Sequence, residues 1–461
     1  MKILFDATEL SYFLEESGHR AGVFFVALNL FRELKKRKDV ELVFYCNFKR
    51  YYFLKEVIEK VEEFQGIELL KENSRINLVF AKLNYLSNLK WIAMPLARLK
   101  LSPLAFCGRV NGGCITRKAI HNISTKLKYG ILSITRYYEN IFYRQNKKNI
   151  EQLKNFEIYF SPFSAPSDEI LDSKHLKRFR MIHDIIPILE AGKVPTNKRL
   201  WCYRIYNTIN KNDFYVTNSE CTRKDVLKYF NLNEENIKTT LLGADNYFKP
   251  LKDTKEKYIF SLCTLGKRKN LIFAIKNFFK FIEKNKIDDL KLVLAGGVWD
   301  KFKKELTKTI GNFDQSKIKV LGYVKDEELP NLYSNALMFI YPSLYEGFGL
   351  PVLEAMKCGC PVITSNFSSL PEVIGQAGIQ INPENDEELI KAYEKFYYDN
   401  FFRELCIERG LIRAKNFSWE KCASELLAYI AEKTAKWGND FSINEFCQAV
   451  SFDCGITYKE M

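Results

Sequence analysis

Two glutamates at a fixed spacing, Glu346 and Glu354, flank the most informative stretch of the chain. Between them lie Gly347 and Gly349, which lack a Cβ atom and so let the backbone approach a ligand closely. A helix that follows such a turn presents unpaired N–H groups and a partial positive charge at its N-terminus, which suit a phosphate. Carboxylates beside a phosphate can accept hydrogen bonds from sugar hydroxyls. The stretch therefore predicts an anion against Gly349 and Leu350, bordered by two carboxylates.

Residue types specify both ends of this helix. Pro351 stands in the first helical turn, where the missing N–H of proline costs nothing. Gly359 stands just beyond the last turn, where a left-handed residue commonly ends a helix. The pair Glu346 and Glu354 alone would be a weak indicator, because surface helices often show this spacing. The glycines and prolines around the pair make the pattern specific.

Alternating strand and helix patterns surround this stretch and define the fold that must position it. Short runs rich in β-branched and aromatic residues alternate with segments of helical period, which predicts βαβ units and parallel sheets covered on both faces. The predicted class is α/β, with two Rossmann-like doubly wound domains. We expect an N-terminal domain over residues 1–245, a C-terminal domain over 256–425, and a helix and tail over 426–461. Residues 246–257 are predicted to form an exposed linker.

The composition fits a large folded protein. With 461 residues, 47% of them hydrophobic, the chain is too long for a small disulfide-stapled module and too apolar for a disordered one. Its twelve cysteines include no Cys-x-x-Cys pair and are accompanied by four histidines, which argues against a zinc site and favours a reducing compartment. No run of eighteen uncharged apolar residues occurs. We therefore expect a cytoplasmic protein without a membrane span.

A basic segment, residues 82–149, interrupts the alternating pattern. It contains thirteen Lys or Arg residues and one acidic residue, Glu139, and so carries most of the net charge of +14. Apolar side chains such as Trp91 and Phe106 are interleaved with the cations. Such a segment is typical of a surface that sits on anionic lipid headgroups. The alternative is a solvated insertion whose apolar residues pack on the domain. Nucleic-acid binding is not expected, because no nucleic-acid motif accompanies the charge.

The pattern Glu346-x7-Glu354 lies inside Glu-Gly-Phe-Gly-Leu-Pro-x-Leu-Glu-Ala-Met, after a strand that ends in Tyr-Pro-Ser. It resembles the donor site of the group 1 glycosyltransferases, the retaining family 4 with the GT-B fold. Further positions agree in the expected order: Gly22, His183 with Asp184, Asn218 with Ser219, and residues 264–270. The resemblance covers about residues 1–80 and 155–430 and implies two Rossmann-like domains that face each other across a cleft.

Carried over position by position, the resemblance implies a binding site for a nucleotide-diphosphate sugar. Glu346 would contact the hydroxyls of the transferred sugar, and Glu354 would hold the hydroxyls of the ribose. Backbone N–H groups would face the sugar and the diphosphate at Gly347, Phe348, Gly349 and Leu350. The carboxylate pair would therefore lie on the nucleotide side of the donor, unlike the two carboxylates of a glycoside hydrolase.

Basic and imidazole side chains complete the implied site. Arg268 and Lys269 match the pair that neutralises the diphosphate, on which charge accumulates as the glycosidic bond breaks; the alternative is a solvated basic turn. His183 would lie by the sugar at the reaction centre, or else serve the fold alone. Gly22 would form the loop under the diphosphate and acceptor, or else simply start a helix. Cys263 stands where many members have a glycine, which is a departure from the family's loop.

The expected activity is retaining transfer of a hexose, with mannose as the first candidate, from a GDP- or UDP-linked sugar to a glycan in surface polysaccharide synthesis. No Asp-x-Asp sequence occurs in the chain, so we expect no metal and no other cofactor. The expected partners are the nucleotide sugar, a glycan or lipid-linked saccharide acceptor, and an anionic membrane surface through residues 82–149. This surface would place the protein peripherally on the inner face of the cytoplasmic membrane.

Two other classes of function stay open at this point. GT-B scaffolds also host nucleotide-sugar epimerases and hydrolases, because a fold does not settle a function. A non-catalytic, membrane-associated scaffold with a relic donor pocket is the other class. The intact acidic, basic and imidazole positions argue against such decay. The sequence leaves open the nucleotide base, the sugar, the linkage, the acceptor and the oligomeric state.

Overall fold

The computed structural model of the protein describes residues 1–15, 22–72, 78, 81–82, 85, 147–197, 200, 202–251, 256–262, 266–296, 306–309, 311 and 313–435. Its strands are β1 (Lys2–Asp6), β2 (Glu41–Tyr45), β3 (Glu68–Leu69), β4 (Ile158–Ser161), β5 (Lys177–Ile182), β6 (Phe214–Thr217), β7 (Ile237–Thr239), β8 (Glu256–Leu262), β9 (Lys291–Ala295), β10 (Ile318–Gly322), β11 (Ala336–Tyr341), β12 (Val362–Ser365) and β13 (Ile379–Ile381).

The helices connect these strands and cover the sheets. They are α1 (Gly22–Lys35), α2 (Tyr51–Lys60), α3 (Lys147–Leu153), α4 (Asp168–Asp172), α5 (Ile186–Ala191), α6 (Tyr203–Asn207), α7 (Glu220–Tyr229), α8 (Leu271–Lys284), α9 (Leu329–Asn335), α10 (Leu350–Lys357), α11 (Leu370–Ile374), α12 (Asp386–Tyr398), α13 (Asn400–Ala414) and α14 (Trp419–Ala435).

The strands form two parallel sheets, which confirms the predicted α/β class. The first sheet has seven strands in the order β3-β2-β1-β4-β5-β6-β7, and the second has six in the order β10-β9-β8-β11-β12-β13. In each sheet the strand order reverses once, between β1 and β4 and between β8 and β11. Doubly wound sheets of this order bind ligands at the carboxyl ends of the two strands beside the reversal.

The chain divides into two compact units, residues 1–180 and 181–461. The first unit contains β1 to β4 and most of β5, and the second contains the strands from β6 to β13. The domain bounds expected from the sequence, 1–245, 256–425 and 426–461, remain predictions.

Aromatic rings fill the core of the first unit. Phe5 of β1 lies within 6.4 Å of Phe31, Phe44 and Phe160, measured between ring centroids. At the carboxyl end of β1, the buried Asp6 accepts a 2.6 Å hydrogen bond from the Tyr159 hydroxyl. Burial raises the pKa of this carboxyl, although its hydrogen bonds oppose the shift.

Apolar side chains on both faces of the second sheet fix its helices in place. On one face, Ile259 and Met338 pack against Phe278 of α8 and Tyr393 of α12. On the other face, Phe260 of β8 meets Tyr333 of α9 with 5.2 Å between the ring centroids. Two aromatic layers therefore hold β8 and β11, the strands on whose loops the site is built.

The last described helix, α14, packs beside the end of the first sheet. Its Cys422 thiol lies 3.6 Å from the Thr240 hydroxyl, and its Tyr429 ring meets Phe214 edge to face at 6.3 Å. Gly243 lies so close to the Trp419 backbone nitrogen that an added Cβ would overlap it. The α14 helix is therefore joined to β6 and to the segment that follows β7.

Several sequence predictions fall outside the described residues. They concern most of the basic segment 82–149, the loop at Cys263 and Thr264, and the tail from 436 to 461. In the described ranges, no helix combines the length and the apolarity needed to cross a bilayer.

Candidate functional site

The second sheet brings the basic turn and the glycine turn together. Arg268 and Lys269 follow β8, and the turn from Glu346 to Leu350 follows β11, so both lie at the carboxyl edge where the strand order reverses. The Leu344 N–H donates a 2.8 Å hydrogen bond to the Arg268 carbonyl, which ties the two loops directly. Two motifs that are distant in the sequence thus meet where a doubly wound sheet binds its ligand.

The Glu346 carboxylate is the centre of this arrangement. One oxygen accepts from Arg268 at 2.9 Å and the other from Lys269 at 2.6 Å. The hydroxyls of Tyr341, at 3.1 Å, and Ser343 also donate to the carboxylate. The residue is only 8% exposed, so these donors replace the water that a carboxylate requires.

The charges around Glu346 determine its protonation. Burial alone would raise the pKa of the carboxyl, but the cations Lys269 and Arg268 outweigh it and hold the pKa below its usual range. Glu346 is therefore an acceptor at neutral pH, which suits the hydrogen-bond donors of a sugar hydroxyl. The two cations are partly exposed and partly buried against the carboxylate, not a fully solvated basic turn.

Close packing accounts for the first glycine of the turn. A Cβ atom at Gly347 would overlap the His183 carbonyl oxygen and lie 3.0 Å from the Asp184 Cβ. The Gly347 carbonyl accepts hydrogen bonds from the hydroxyls of Ser219, at 2.7 Å, and Thr222, at 3.2 Å. The turn after β11 is therefore fixed against the loops that follow β5 and β6.

Backbone conformation accounts for the second glycine. Gly349 has φ +114° and immediately precedes α10, and a Cβ there would also lie 2.6 Å from Leu370. The first N–H groups of a helix lack partners within it, so α10 directs donors and its positive dipole end toward this turn. Phe348 is buried and packs edge to face on Phe417 at 6.0 Å, so its side chain serves the core. Leu350 begins α10, and the anion predicted against Gly349 and Leu350 stays a prediction.

Glu354 has a different environment from Glu346. It lies one turn into α10, where the Tyr333 hydroxyl donates a 2.9 Å hydrogen bond to its carboxyl. Burial raises the pKa of Glu354 to about 7, and the nearby carboxylates Asp245 and Asp326 add to the rise. Glu354 therefore titrates near neutral pH, whereas Glu346 stays ionised.

His183 and Asp184 follow β5 and reach the same turn. The His183 carbonyl lies against Gly347 and accepts a 3.3 Å hydrogen bond from the Thr222 hydroxyl. Burial raises the pKa of Asp184, on which Arg268 and Glu346 act in opposite directions. The structure thus places the predicted His183 beside the glycine turn. Gly22, in the other compact unit, is exposed at the start of α1.

Sequence reasoning missed the hydroxyls that hold the site together. Ser343 and Tyr341 bind the Glu346 carboxylate, Tyr333 binds Glu354, and the Ser369 hydroxyl donates to the Glu346 and Phe348 carbonyls at 2.9 Å. A single serine or tyrosine in a buried strand or helix carries no spacing pattern, so only the Tyr-Pro-Ser that precedes Glu346 could have marked two of them, Tyr341 and Ser343. In the part of the chain that the structure describes, His, Cys, Asp and Glu side chains form no group of three that could hold a metal ion.

Comparison with protein families and curated proteins agrees with this geometry. Residues 244–412 match the family model described as glycosyl transferases group 1. The chain is 34% identical over 238 residues to the O-antigen chain mannosyltransferase B of Escherichia coli, a match that covers 48% of this chain and 61% of the relative. It is 26% identical over 207 residues to the O-antigen chain mannosyltransferase RfbU of Salmonella typhimurium, with 45% and 57% covered. The chain therefore matches less than two thirds of the length of either relative.

Comparison with solved structures supports the fold. The sucrose-phosphate synthase from Thermosynechococcus elongatus matches with a TM-score of 0.59 at 14% identity, covering 95% of this chain and 100% of that one. Anabaena HepE, solved in complex with UDP and glucose, matches with a TM-score of 0.57 at 14% identity, covering 94% and 100%. At such identity the likeness extends to the fold alone.

Proposed function

We propose that the protein transfers a hexose from a nucleotide-diphosphate sugar to a glycan, because residues 244–412 match the family model of the group 1 glycosyltransferases. The observation that carries this proposal is the convergence of Arg268, Lys269 and Glu346 beside the N-terminus of α10, at the carboxyl edge of the sheet. Mannose is the first candidate, since the curated relatives are named O-antigen mannosyltransferases.

The proposed mechanism uses this chain's own charges. Arg268 and Lys269, together with the dipole of α10, would stabilise the negative charge that grows on the leaving diphosphate as the glycosidic bond breaks. Glu346 would accept hydrogen bonds from the sugar hydroxyls, and Glu354 from those of the ribose. The two cations bind Glu346 in the structure. A bound donor would therefore share them between that carboxylate and its diphosphate.

Retention of configuration and independence from metal are part of this proposal. The leaving phosphate would act as the base toward the acceptor hydroxyl on the same face of the sugar. His183, beside the glycine turn, would position the donor. The nucleotide would be GDP or UDP, and no cofactor would be required. An assay with GDP-mannose in the presence of a chelator tests this point, because a metal-dependent enzyme would lose its activity there.

The rival functions make different use of the donor. A hydrolase or an epimerase would consume or convert the nucleotide sugar without acceptor, whereas a transferase needs acceptor for rapid turnover. We expect release of nucleotide from GDP-mannose or UDP-glucose to accelerate when lipid-linked saccharide extracted from bacterial membranes is added. Equal rates with and without the extract would favour hydrolysis, and no turnover despite donor binding would favour a non-catalytic scaffold.

The charge of the basic segment is the ground on which we propose the acceptor and the location of the protein. Residues 82–149, with their large excess of cations, would hold the protein on an anionic membrane surface where a lipid-linked acceptor lies. We expect the full chain to bind vesicles containing phosphatidylglycerol at low salt, and to lose that binding when the lysines of the segment are replaced with glutamine. Unchanged binding would contradict the membrane role.

The affinity for the nucleotide sugar should depend on pH through Glu354. With a pKa of about 7, roughly a tenth of this carboxyl is ionised at pH 6 and roughly nine tenths at pH 8. Only the ionised carboxyl can accept hydrogen bonds on both of its oxygens. We therefore expect the dissociation constant of the nucleotide sugar to be about tenfold higher at pH 6 than at pH 8. Calorimetric titration with a nucleotide sugar tests this, because its diphosphate diester does not titrate in this range. The profile of Glu354→Gln should be flat.

The Glu354 carboxyl should also lower the stability of the protein when no ligand is bound. Its folded pKa lies above the ordinary value of 4.5, so the fold favours the neutral form, and ionisation as the pH rises toward 7 lowers the free energy of unfolding. Glu354→Gln should therefore raise the midpoint of thermal unfolding at pH 8 and change it little at pH 5. A lower midpoint at pH 8 would show that the carboxylate stabilises the fold.

A further inference from the structure

The surroundings of Glu354 in α10 are asymmetric. The Tyr333 hydroxyl donates to one carboxyl oxygen at 2.9 Å. Among the described residues, the carboxylates that raise its pKa are Asp245, from the chain between β7 and β8, and Asp326, from the turn before α9. Lys357, one turn further along α10, directs its ammonium to the Ala244 and Asp245 carbonyls at 2.6 and 3.0 Å. Both neighbouring carboxylates thus oppose the ionisation of Glu354, whereas the neutral Tyr333 hydroxyl donates a hydrogen bond to it.

Packing holds the Tyr333 ring in one place. The side chain is fully buried in α9, and its ring meets Phe260 of β8 and Phe339 of β11 edge to face, each with 5.2 Å between centroids. The Phe248 ring lies against another side of the Tyr333 ring, with 6.1 Å between the centroids. A ring enclosed in this way has a fixed hydroxyl, so the hydrogen bond also fixes the carboxyl that accepts it.

We propose that Tyr333 is a positioning residue of the donor site, whose hydrogen bond orients the Glu354 carboxyl for the ribose hydroxyls of the nucleotide sugar. This inference rests on the proposed function of the site. Tyr333 donates to one carboxyl oxygen, and the other would accept from the ribose hydroxyls. The hydrogen bond favours the charged form of Glu354 against burial and against the two aspartates.

A pair of conservative variants separates this role from a structural one. Tyr333→Phe removes the hydroxyl and keeps the ring. Tyr393→Phe is the matched control, because Tyr393 is also fully buried and its hydroxyl donates to the Ala274 carbonyl, away from the site. Both variants lose one buried hydroxyl, so a general loss of stability affects both.

The readout is the pH dependence of the dissociation constant for GDP-mannose and UDP-glucose. If loss of the hydrogen bond raises the pKa of Glu354 by about one unit, the Tyr333→Phe constant should rise about tenfold at pH 6, about threefold at pH 7.5 and very little at pH 9. In steady-state assays the donor KM should rise while kcat stays near the wild-type value, because the ribose is remote from the bond that breaks. In the ligand-free protein, 13C NMR should show the Glu354 carboxyl titrating at higher pH, with its signal assigned through Glu354→Gln.

Each outcome decides the proposal. A shifted profile in Tyr333→Phe and an unshifted one in Tyr393→Phe support it. If the wild type binds a nucleotide sugar and both variants keep its pH profile, Tyr333 does not position Glu354, and the proposed function stands. If the wild type binds neither nucleotide sugar, the proposed function fails and the role of Tyr333 fails with it.

Discussion

Replacing Arg268 and Lys269 together with alanine should lower kcat for sugar transfer by about 10²–10³-fold. These cations contact Glu346 at 2.9 and 2.6 Å and lie beside the N-terminus of α10, where the leaving diphosphate would sit. Without them the charge that develops in the transition state loses its fixed partners. The measurement is the rate of nucleotide release with saturating acceptor. Lys267→Ala is the matched control, because Lys267 is exposed in the same turn and should be dispensable.

The same variant should also be less stable, and a third substitution separates this effect from catalysis. Removing both cations leaves the Glu346 carboxylate buried without its charge partners, which costs on the order of 3 kcal/mol. Because the pKa of Glu346 is lowered in the fold, the stabilisation it contributes is present at neutral pH and is lost as the pH falls below its unfolded value. Adding Glu346→Gln should restore the thermal midpoint without restoring transfer. A restored rate would contradict the catalytic role of the cations.

Gly347→Ala should strongly reduce transfer for a steric reason. A Cβ at this position would overlap the His183 carbonyl oxygen, and the Ser219 and Thr222 hydroxyls hold the Gly347 carbonyl in place. The turn would have to move, at a cost of about 1–3 kcal/mol in unfolding free energy, and the misplaced turn should reduce kcat/KM by about 10²-fold or more. Thermal unfolding and steady-state assays measure the two effects.

Gly266→Ala provides the control for this substitution. Among the residues that the structure describes, none lies within 4 Å of a Cβ placed at Gly266, although this glycine directly precedes the basic turn. We expect it to change neither the thermal midpoint nor the rate of transfer. Near-wild-type transfer in Gly347→Ala would show that the close approach of the His183 loop is unnecessary.

The parts of the fold that followed from the sequence are those with strong local signals. Pro351 occupies the first turn of α10, and Gly359 has φ +66° just beyond its end, as their residue types predict. The strands from β8 to β12 follow from the alternating pattern of the sequence, because each contains a short, mostly apolar run between segments of helical period. Their parallel pairing follows from the helices between them.

Other features carry no readable pattern. β7 is three residues long and contains a lysine, so it is too short to show strand periodicity. The convergence of the two motifs was implied by the resemblance to the group 1 glycosyltransferases, but the binding of Glu346 by both cations depends on side-chain geometry. The opposite pKa shifts of Glu346 and Glu354 arise from tertiary neighbours such as Lys269 and Asp245. The roles assigned to these residues remain predictions.

Thermal unfolding with nucleotides tests the central claim most directly. The wild-type protein would be heated with GDP, UDP, ADP, GDP-mannose or UDP-glucose, each with a chelator present. A ligand at about 100 times its dissociation constant stabilises the native state by about 2.7 kcal/mol, which raises the midpoint by several degrees. We expect one nucleotide and its sugar to do so without metal, and to have no effect on the variant that lacks Arg268 and Lys269. No shift with any of the five, or an equal shift in that variant, would contradict the donor site.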